Sequence, residues 1–326
     1  MSNSYLPVEY RIYLQNSIRN GNKHILVEGK DDKHLIKKLV QEFLGNDNKI
    51  LVDSAENLIK GDESIEFFNN RQKVEFIANS ICDKQYADGF IGFTDRELHK
   101  FEWDCDYISE LQDLLNSHDV IQRLILSRGH SIENYIFDLS ILCEVLDYLS
   151  TTVYANESID LFKENFIATL RIACSIGLAA TKAQILSKTK STIDYNLLEF
   201  SPSTKVVFKF EDWVQKLADR GISIAQQQEL RLHYNVYNEQ VERASMSIVR
   251  WICHGHIGFD FLKALYERCI IEICPTIQGK SKELSEISWV PKEKLFYCFI
   301  NCWIKKALLN QCEYPRAIFE LLGLIS

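Results

Sequence analysis

The stretch "HILVEGKDDKHLIKKL", residues 24–39, determines the fold predicted for the first part of the chain. An apolar run of strand length ends in a carboxylate and a glycine and passes directly into an amphipathic helical pattern. Glu28 therefore ends a predicted buried strand, Gly29 lets the backbone turn, and Asp32 is placed to cap a helix that begins near Lys33. A buried strand that ends in charge raises the question of what the carboxylate binds.

Short apolar runs continue to alternate with longer amphipathic segments on either side of this stretch. The predicted strands are "HILVE", "KILVDS", "GFIGFTD" and "IQRLILS", and the predicted helices between them are "KHLIKKLVQEFL", "RQKVEFIANSICDKQ" and "YISELQDLLNS". Continuous apolar strands without polar alternation are typical of a parallel sheet covered on both faces. Residues 1–140 are therefore predicted to form an α/β domain, a parallel sheet flanked by helices.

Residues 141–326 are predicted to form a second, mainly α-helical domain for partner docking, dimerisation or substrate binding. Residues 157–188 and 223–274 keep apolar side chains at helical spacing over many turns. The exception is "STKVVFKFEDW", residues 203–213, whose β-branched and aromatic residues predict a short strand or one arm of a hairpin.

Length and composition are those of a globular protein, with 326 residues of which 46% are hydrophobic. No stretch is long and apolar enough to span a membrane, and the N-terminus lacks the basic-then-apolar layout of a secretion signal. The ten cysteines are scattered among apolar neighbours, as reduced thiols usually are. We therefore expect a cytoplasmic protein without membrane contact and without structural disulfides.

The net charge of −8 is unevenly distributed along the sequence. Residues 1–150 contain 16 Lys and Arg against 26 Asp and Glu, whereas residues 151–326 contain 21 against 19. Proteins that bind nucleic acids are usually basic, so the total argues mildly against such a partner. Carboxylates that hold a divalent cation nevertheless present positive charge to a phosphate.

Acidic residues follow three of the predicted strands: Glu28 follows the first, Asp53 the second, and Asp95 with Glu97 the third. Ligands of parallel α/β sheets bind beyond the carboxyl ends of strands. Two acids one residue apart in an extended stretch also point the same way. Glu28, Asp95 and Glu97 are therefore predicted to share one cation, and oxygen ligands favour Mg²⁺ or Mn²⁺ over zinc. On spacing alone, acids in solvated loops are the commoner explanation.

Three motifs, "ILVEGKDD", "GFIGFTDRE" and "SIENYI", resemble in this order the TOPRIM (topoisomerase-primase) domain. That family has a glutamate and a glycine after its first strand and a D-x-D pair after a later one. Glu28, Gly29 and Asp32 match the first motif, and Asp95 matches the first acid of the pair. Glu97 stands where the family has an aspartate, so its carboxylate is displaced by one methylene.

With its helical second half, the chain resembles stand-alone TOPRIM nucleases of the overcoming-lysogenization-defect-like group, which are frequently paired with an ABC-type ATPase in phage defence. This resemblance implies a metal-dependent endonuclease toxin, held silent by the ATPase and directed at RNA, with transfer RNA as the implied target. Glu28 is then the candidate metal ligand or general base, with Asp95 and Glu97 as metal ligands. Glu133, in "SIENYI", would reach the same edge of the sheet as an additional ligand. Lys30 or Arg128 would contact a phosphate.

Weaker candidates lie in the second half. "CHGH", residues 253–256, contains zinc-ligand types but lacks a second pair at finger-like spacing. A partly buried histidine is the simpler explanation, and His256 is kept as a weak substrate-binding candidate. Lys305 and Lys306 suit RNA phosphates and suit a solvated helix face equally well. No phosphate loop of the form GxxxxGK[ST] occurs, so ATP hydrolysis by this chain is not expected.

Two other functions stay open at this point. The fold also suits a DNA endonuclease of the lysogenization-defect type. The alternative that is not an enzyme is a binding subunit of an ATPase complex, in which the carboxylates are vestigial. The apolar, nearly neutral second half further predicts a surface for the ATPase and for a homodimer.

Overall fold

The computed structural model describes residues 5–46, 49–59, 69–99, 101, 115, 117–274, 284 and 290–325. Contacts divide the chain into two compact units. Unit 1 comprises Met1–Arg96, Asn116–Arg128 and Ile304–Ser326, and unit 2 comprises Glu97–Leu115 and Gly129–Trp303. The predicted domains met at residue 140, whereas the observed units are discontinuous in sequence.

Unit 1 contains a five-stranded sheet, in the part of the chain that the structure describes, with the order β2-β1-β3-β5-β4. The strands are β1 (Lys23–Val27), β2 (Ile50–Ser54), β3 (Phe90–Thr94), β4 (Asp119–Ile121) and β5 (Leu124–Leu126). Neighbouring strands are parallel except β4, which pairs antiparallel with β5. The predicted α/β class with a mostly parallel sheet is therefore confirmed. The run predicted as a single fourth strand instead contains a tight turn at Gln122, where φ is 54°.

Helices α1 (Pro7–Arg19), α2 (Lys30–Leu44) and α3 (Asn70–Ile81) flank this sheet. On one face, α1 and α3 share an apolar cluster with the strands, formed among others by Tyr10, Leu14, Leu26, Val74, Ile77, Ile81, Phe90 and Leu124. Ile25 and Val27, which point to the other face of β1, are also completely buried. A Cβ at Gly92 would lie 2.7 Å from Val74, so a glycine there lets α3 approach β3 closely.

The C-terminal segment belongs to unit 1 because aromatic side chains anchor it on α2. The ring of Phe43 lies 5.0 Å from that of Phe319 and 4.8 Å from that of Tyr314, between centroids. Phe319 lies in the last helix, α11 (Arg316–Leu321). These contacts join residues far apart in sequence, and a division into consecutive halves could not include them.

Unit 2 is mainly helical, as the spacing of its apolar residues predicted. Its helices are α4 (Leu139–Leu149), α5 (Ala155–Lys182), α6 (Phe210–Asp219), α7 (Ile224–Arg243), α8 (Met246–Ile252), α9 (Gly255–Ile273) and the first part of α10 (Lys292–Leu308). The long α5 packs along α9. Strands β6 (Leu198–Phe200) and β7 (Val206–Phe208) form an antiparallel hairpin, which confirms the prediction for residues 203–213.

Two further expectations can be compared with the described residues. The nine described cysteines are free thiols, as the sequence predicted. Among the described residues, no helix combines the length and apolarity needed to cross a membrane. The predicted helix "YISELQDLLNS", residues 107–117, lies outside the described residues except at Leu115 and Ser117.

Candidate functional site

The carboxyl ends of β1 and β3 bring Glu28 and Asp95 together within unit 1. Val27 pairs with Phe93 in the parallel register, so the residues that follow these two strands leave the sheet side by side. The backbone N–H of Asp95 donates a hydrogen bond to Oε1 of Glu28 over 3.1 Å. Two of the three predicted metal ligands therefore lie at one edge of the sheet.

The helix after Glu28 begins earlier than predicted. Gly29 is the N-cap and Lys30 the first residue of α2, whereas the sequence placed the start near Lys33. Asp32 occupies the third helical position and accepts a hydrogen bond from the N–H of Gly29 over 3.0 Å. Asp32 thus caps the helix by reaching back, as the glutamate of a capping box does.

Lys30, a predicted phosphate contact, pairs with an acid that sequence reasoning missed. Its Nζ lies 3.0 Å from Oε2 of Glu56, and its side chain is 77% exposed. The hydrogen bond from Lys30 lowers the pKa of Glu56. Ser54, the last residue of β2, accepts the N–H of Glu56 and donates to the carbonyl of Glu28. The sequence signal that could have identified Glu56 is its position two residues beyond the predicted strand "KILVDS".

Asp53, the penultimate residue of β2, is half-buried and bonded to core residues of unit 1. Its Oδ2 accepts from the hydroxyl of Tyr10 over 3.0 Å and lies 3.3 Å from Nδ1 of His24. Burial, followed by the charge of Asp53, raises the pKa of Tyr10 well above its usual value. The other ring nitrogen of His24 lies 2.8 Å from Oγ of Ser17. This Ser-His-Asp chain resembles a hydrolase triad, but Ser17 and His24 are both buried, so it stabilises the packing of α1 on the sheet.

The chain does not stay extended after Asp95. Arg96 is buried, and its backbone N–H donates to Oγ of Ser127 over 2.9 Å. Glu97 adopts a left-handed conformation with φ 52° and begins unit 2, where its N–H donates to the carbonyl of His130 over 2.7 Å. The predicted pairing of Asp95 with Glu97 assumed an extended backbone through both residues. That assumption is wrong at Glu97.

Glu133 and His256, predicted separately, form an ion pair within unit 2. Oε1 of Glu133 lies 3.0 Å from Nδ1 of His256, whose side chain is 72% exposed while that of Glu133 is 12% exposed. Burial alone would raise the pKa of Glu133, but hydrogen bonds from His256 and Ser131 hold it below its usual value. The same bond raises the pKa of His256. A Cβ at Gly255 would lie 2.6 Å from Oε2 of Glu133, so α9 must begin with a glycine to approach this carboxylate.

Two further histidines lie beside this pair: His254 of the "CHGH" motif and His130, which sequence reasoning missed. The rings of His130 and His254 are 4.8 Å apart between centroids. Burial, reinforced by the charge of His254, lowers the pKa of His130 to about 3. Burial and the charge of His256 lower the pKa of His254 to about 4. These lowered pKa values keep both rings neutral near pH 7. Neither Nδ1 atom has a hydrogen-bond partner among the described residues.

The remaining predicted contacts lie in unit 1. Arg128 forms an ion pair with Glu313 of the C-terminal segment. Lys305 is exposed and Lys306 half-buried near the end of α10. Unit 1 contains 18 Lys and Arg and 18 Asp and Glu, whereas unit 2 contains 19 against 27. The acidity that the sequence showed in the first half is therefore carried by unit 2, and the unit with the sheet is neutral.

Glu28 and Asp95 are suited to one type of cation. Among the described residues, no group of three or more His, Cys, Asp or Glu side chains is arranged to hold a metal ion. Mg²⁺ commonly binds through one or two carboxylates and completes its shell with waters and substrate phosphates, whereas structural zinc needs four protein ligands. The two hard oxygen donors of unit 1 therefore fit Mg²⁺ or Mn²⁺ bound together with a phosphate.

No known protein-family model matches this chain, and no curated protein is significantly similar to it in sequence. The assignment of a function therefore depends on the site at the carboxyl edge of the sheet.

Proposed function

We propose that this protein is an Mg²⁺- or Mn²⁺-dependent endonuclease that cleaves RNA at the carboxyl edge of the unit 1 sheet. The observation that carries the proposal is the 3.1 Å hydrogen bond from the N–H of Asp95 to Oε1 of Glu28. It joins the acids that follow two adjacent parallel strands, in the order typical of a TOPRIM domain. Glu97 and Glu133 belong to unit 2, and their roles in catalysis stay predictions from the sequence.

The residues of unit 1 have distinct tasks in this proposal. Glu28 and Asp95 hold the cation, which supplies charge stabilisation for the phosphodiester and lowers the pKa of a bound water. Asp95 also orients Glu28 through its backbone N–H. Lys30 contacts a phosphate. Because its ion pair with Glu56 is largely exposed, replacing Glu56 by the phosphate as the partner of Lys30 costs little free energy.

The resemblance to TOPRIM nucleases refines the biological role. The motif pattern is most like that of AriB, the effector of the PARIS phage-defence system. By this resemblance the chain is a toxin that cleaves transfer RNA when an ABC-type ATPase, similar to AriA, releases it. Its released form is a homodimer.

One experiment tests the reaction and its substrate. The protein and its Glu28→Gln variant are expressed in bacteria, and the RNA ends that appear are sequenced. Purified protein is then given transfer RNA or plasmid with Mg²⁺ or with excess EDTA. Cleavage of transfer RNA that needs Mg²⁺ and Glu28 supports the proposal. Nicking of plasmid alone favours a DNA endonuclease, and no cleavage of either favours a binding subunit.

A further inference from the structure

A stripe of cationic and amide side chains runs along the exposed side of α2. This α2 stripe consists of Lys30, His34, Lys37, Lys38 and Gln41, which recur at intervals of three and four residues and therefore share one helix face. The opposite face buries Leu35, Ile36, Leu39 and Val40. No acidic residue lies within the stripe; Asp31 and Glu42 lie at its margins.

The stripe borders an open groove of about 380 Å³. The groove is lined by His34, Lys37, Lys38, Gln41, Glu42 and Asn46, so that one carboxylate faces two lysines, an imidazole and two amides. Lys37 is exposed and forms no ion pair with any residue that the structure describes. Such a lining supplies hydrogen-bond donors and positive charge to an anionic ligand and offers little to an apolar one.

Three acids around the start of α2, Asp32, Glu56 and Asp53, have local partners, whereas Asp31 is exposed. Asp32 accepts from the N–H of Gly29, Glu56 pairs with Lys30, and Asp53 accepts from Tyr10. Unit 1 has equal numbers of acidic and basic residues. Further along the helix, from His34 to Asn46, the charged side chains are Lys37 and Lys38 against Glu42, an excess of one positive charge.

The direction of α2 connects the groove with the edge of the sheet. The helix starts two residues after Glu28, and at 1.5 Å per residue the stripe extends about 16 Å from Lys30 to Gln41. Phosphates of a helical strand follow one another at about 3.4 Å along the axis, so this length matches about five nucleotides.

We propose that the α2 stripe and its groove bind the phosphodiester backbone of a polynucleotide strand and guide it to Glu28. The guiding role rests on the proposed nuclease function. Lys37 and Lys38 make the central phosphate contacts, which act by charge and are independent of base sequence. Binding of the strand does not require the cation.

The test measures binding without cleavage, in the Glu28→Gln background and without Mg²⁺. Fluorescence anisotropy records the affinity for a labelled single-stranded RNA, and for DNA of the same sequence, between about 50 and about 200 mM KCl. The variant Lys37→Gln/Lys38→Gln removes two charges and keeps helix propensity. The matched control, Lys49→Gln/Lys84→Gln, removes two exposed charges of unit 1 outside the stripe.

Two lost phosphate contacts should reduce the slope of log affinity against log salt by about 1.4 units for a single strand, with the control unchanged. An unchanged slope in Lys37→Gln/Lys38→Gln overturns the inference, and so does a parent that binds neither RNA nor DNA. A reduced slope in Lys305→Gln/Lys306→Gln instead places the strand along α10 and also overturns it. If the slope falls as expected but the protein with Glu28 intact cleaves no nucleic acid with Mg²⁺, the binding surface stands and the proposed nuclease fails.

Discussion

Oε1 of Glu28 accepts a hydrogen bond from the backbone N–H of Asp95 over 3.1 Å, although 67 positions separate the two residues in sequence. The bond connects the carboxyl ends of β1 and β3 and orients the Glu28 side chain along the sheet edge. The position of Glu28 therefore depends on the parallel register of these strands, in which Val27 pairs with Phe93.

Glu28→Gln separates the charge of this residue from its structural bond. The amide oxygen still accepts from the N–H of Asp95, so the melting temperature should change little, whereas loss of a hard anionic ligand should abolish Mg²⁺-dependent cleavage. Nuclease assays over a Mg²⁺ titration and thermal melting measure both effects. Undiminished cleavage by Glu28→Gln, or by the parent in excess EDTA, would contradict a metal site at Glu28.

Asp53→Asn is expected to give the opposite pattern. It weakens the bonds to Tyr10 and His24 in the core and should cost about 1–3 kcal/mol of unfolding free energy. Cleavage per folded molecule should persist, because Asp53 serves packing. Urea denaturation and activity at low temperature test this, and a stable but inactive Asp53→Asn protein would place Asp53 in the catalytic site.

Gly255→Ala should destabilise unit 2. Its Cβ would lie 2.2 Å from Oγ of Ser131 and 2.9 Å from Cβ of Glu133, and overpacking of this kind costs about 1–3 kcal/mol. Ser131→Ala removes one of the clashing atoms, so the double variant should lose less than the sum of the single variants. A double-mutant cycle from denaturation midpoints measures this coupling. Additive losses would show that α9 does not contact Ser131 in solution.

Glu133→Gln should lower the pKa of His256. The bond to Glu133 raises the pKa of His256 above its ordinary value of 6.5, so its stabilising effect is present below that pH. The effect is lost as the pH rises through the pKa of the folded state. NMR titration of the His256 imidazole in the parent and in Glu133→Gln measures the shift. Equal His256 pKa values in both proteins would show that the pair does not persist.

Acid should destabilise the protein through His130. Its pKa is lowered from 6.5 to about 3, so the unfolded chain binds the proton first and stability is lost as the pH falls below 6.5. At pH 5 this loss is on the order of 2 kcal/mol. The difference between the urea midpoints at pH 7 and at pH 5 should therefore be smaller in His130→Asn than in the parent. Equal acid sensitivity of the two proteins would exclude His130 as the source.

The sequence by itself determined the first three strands of the sheet and the acids that follow β1 and β3. Strand and helix periodicities are local properties, so β1, α2 and the placement of Glu28 and Asp95 after strands could be predicted from neighbouring residues alone. The capping role of Asp32 was predicted for the same reason, although α2 begins at Lys30.

Only the tertiary structure decided which of these elements meet. The order β2-β1-β3-β5-β4 makes β1 and β3 neighbours and so brings Glu28 to Asp95. Packing of Phe43 on Phe319 places the C-terminal segment on α2. The approach of α9 to Glu133 forms the pair with His256. These contacts depend on packing between segments distant in sequence, for which local periodicity contains no information.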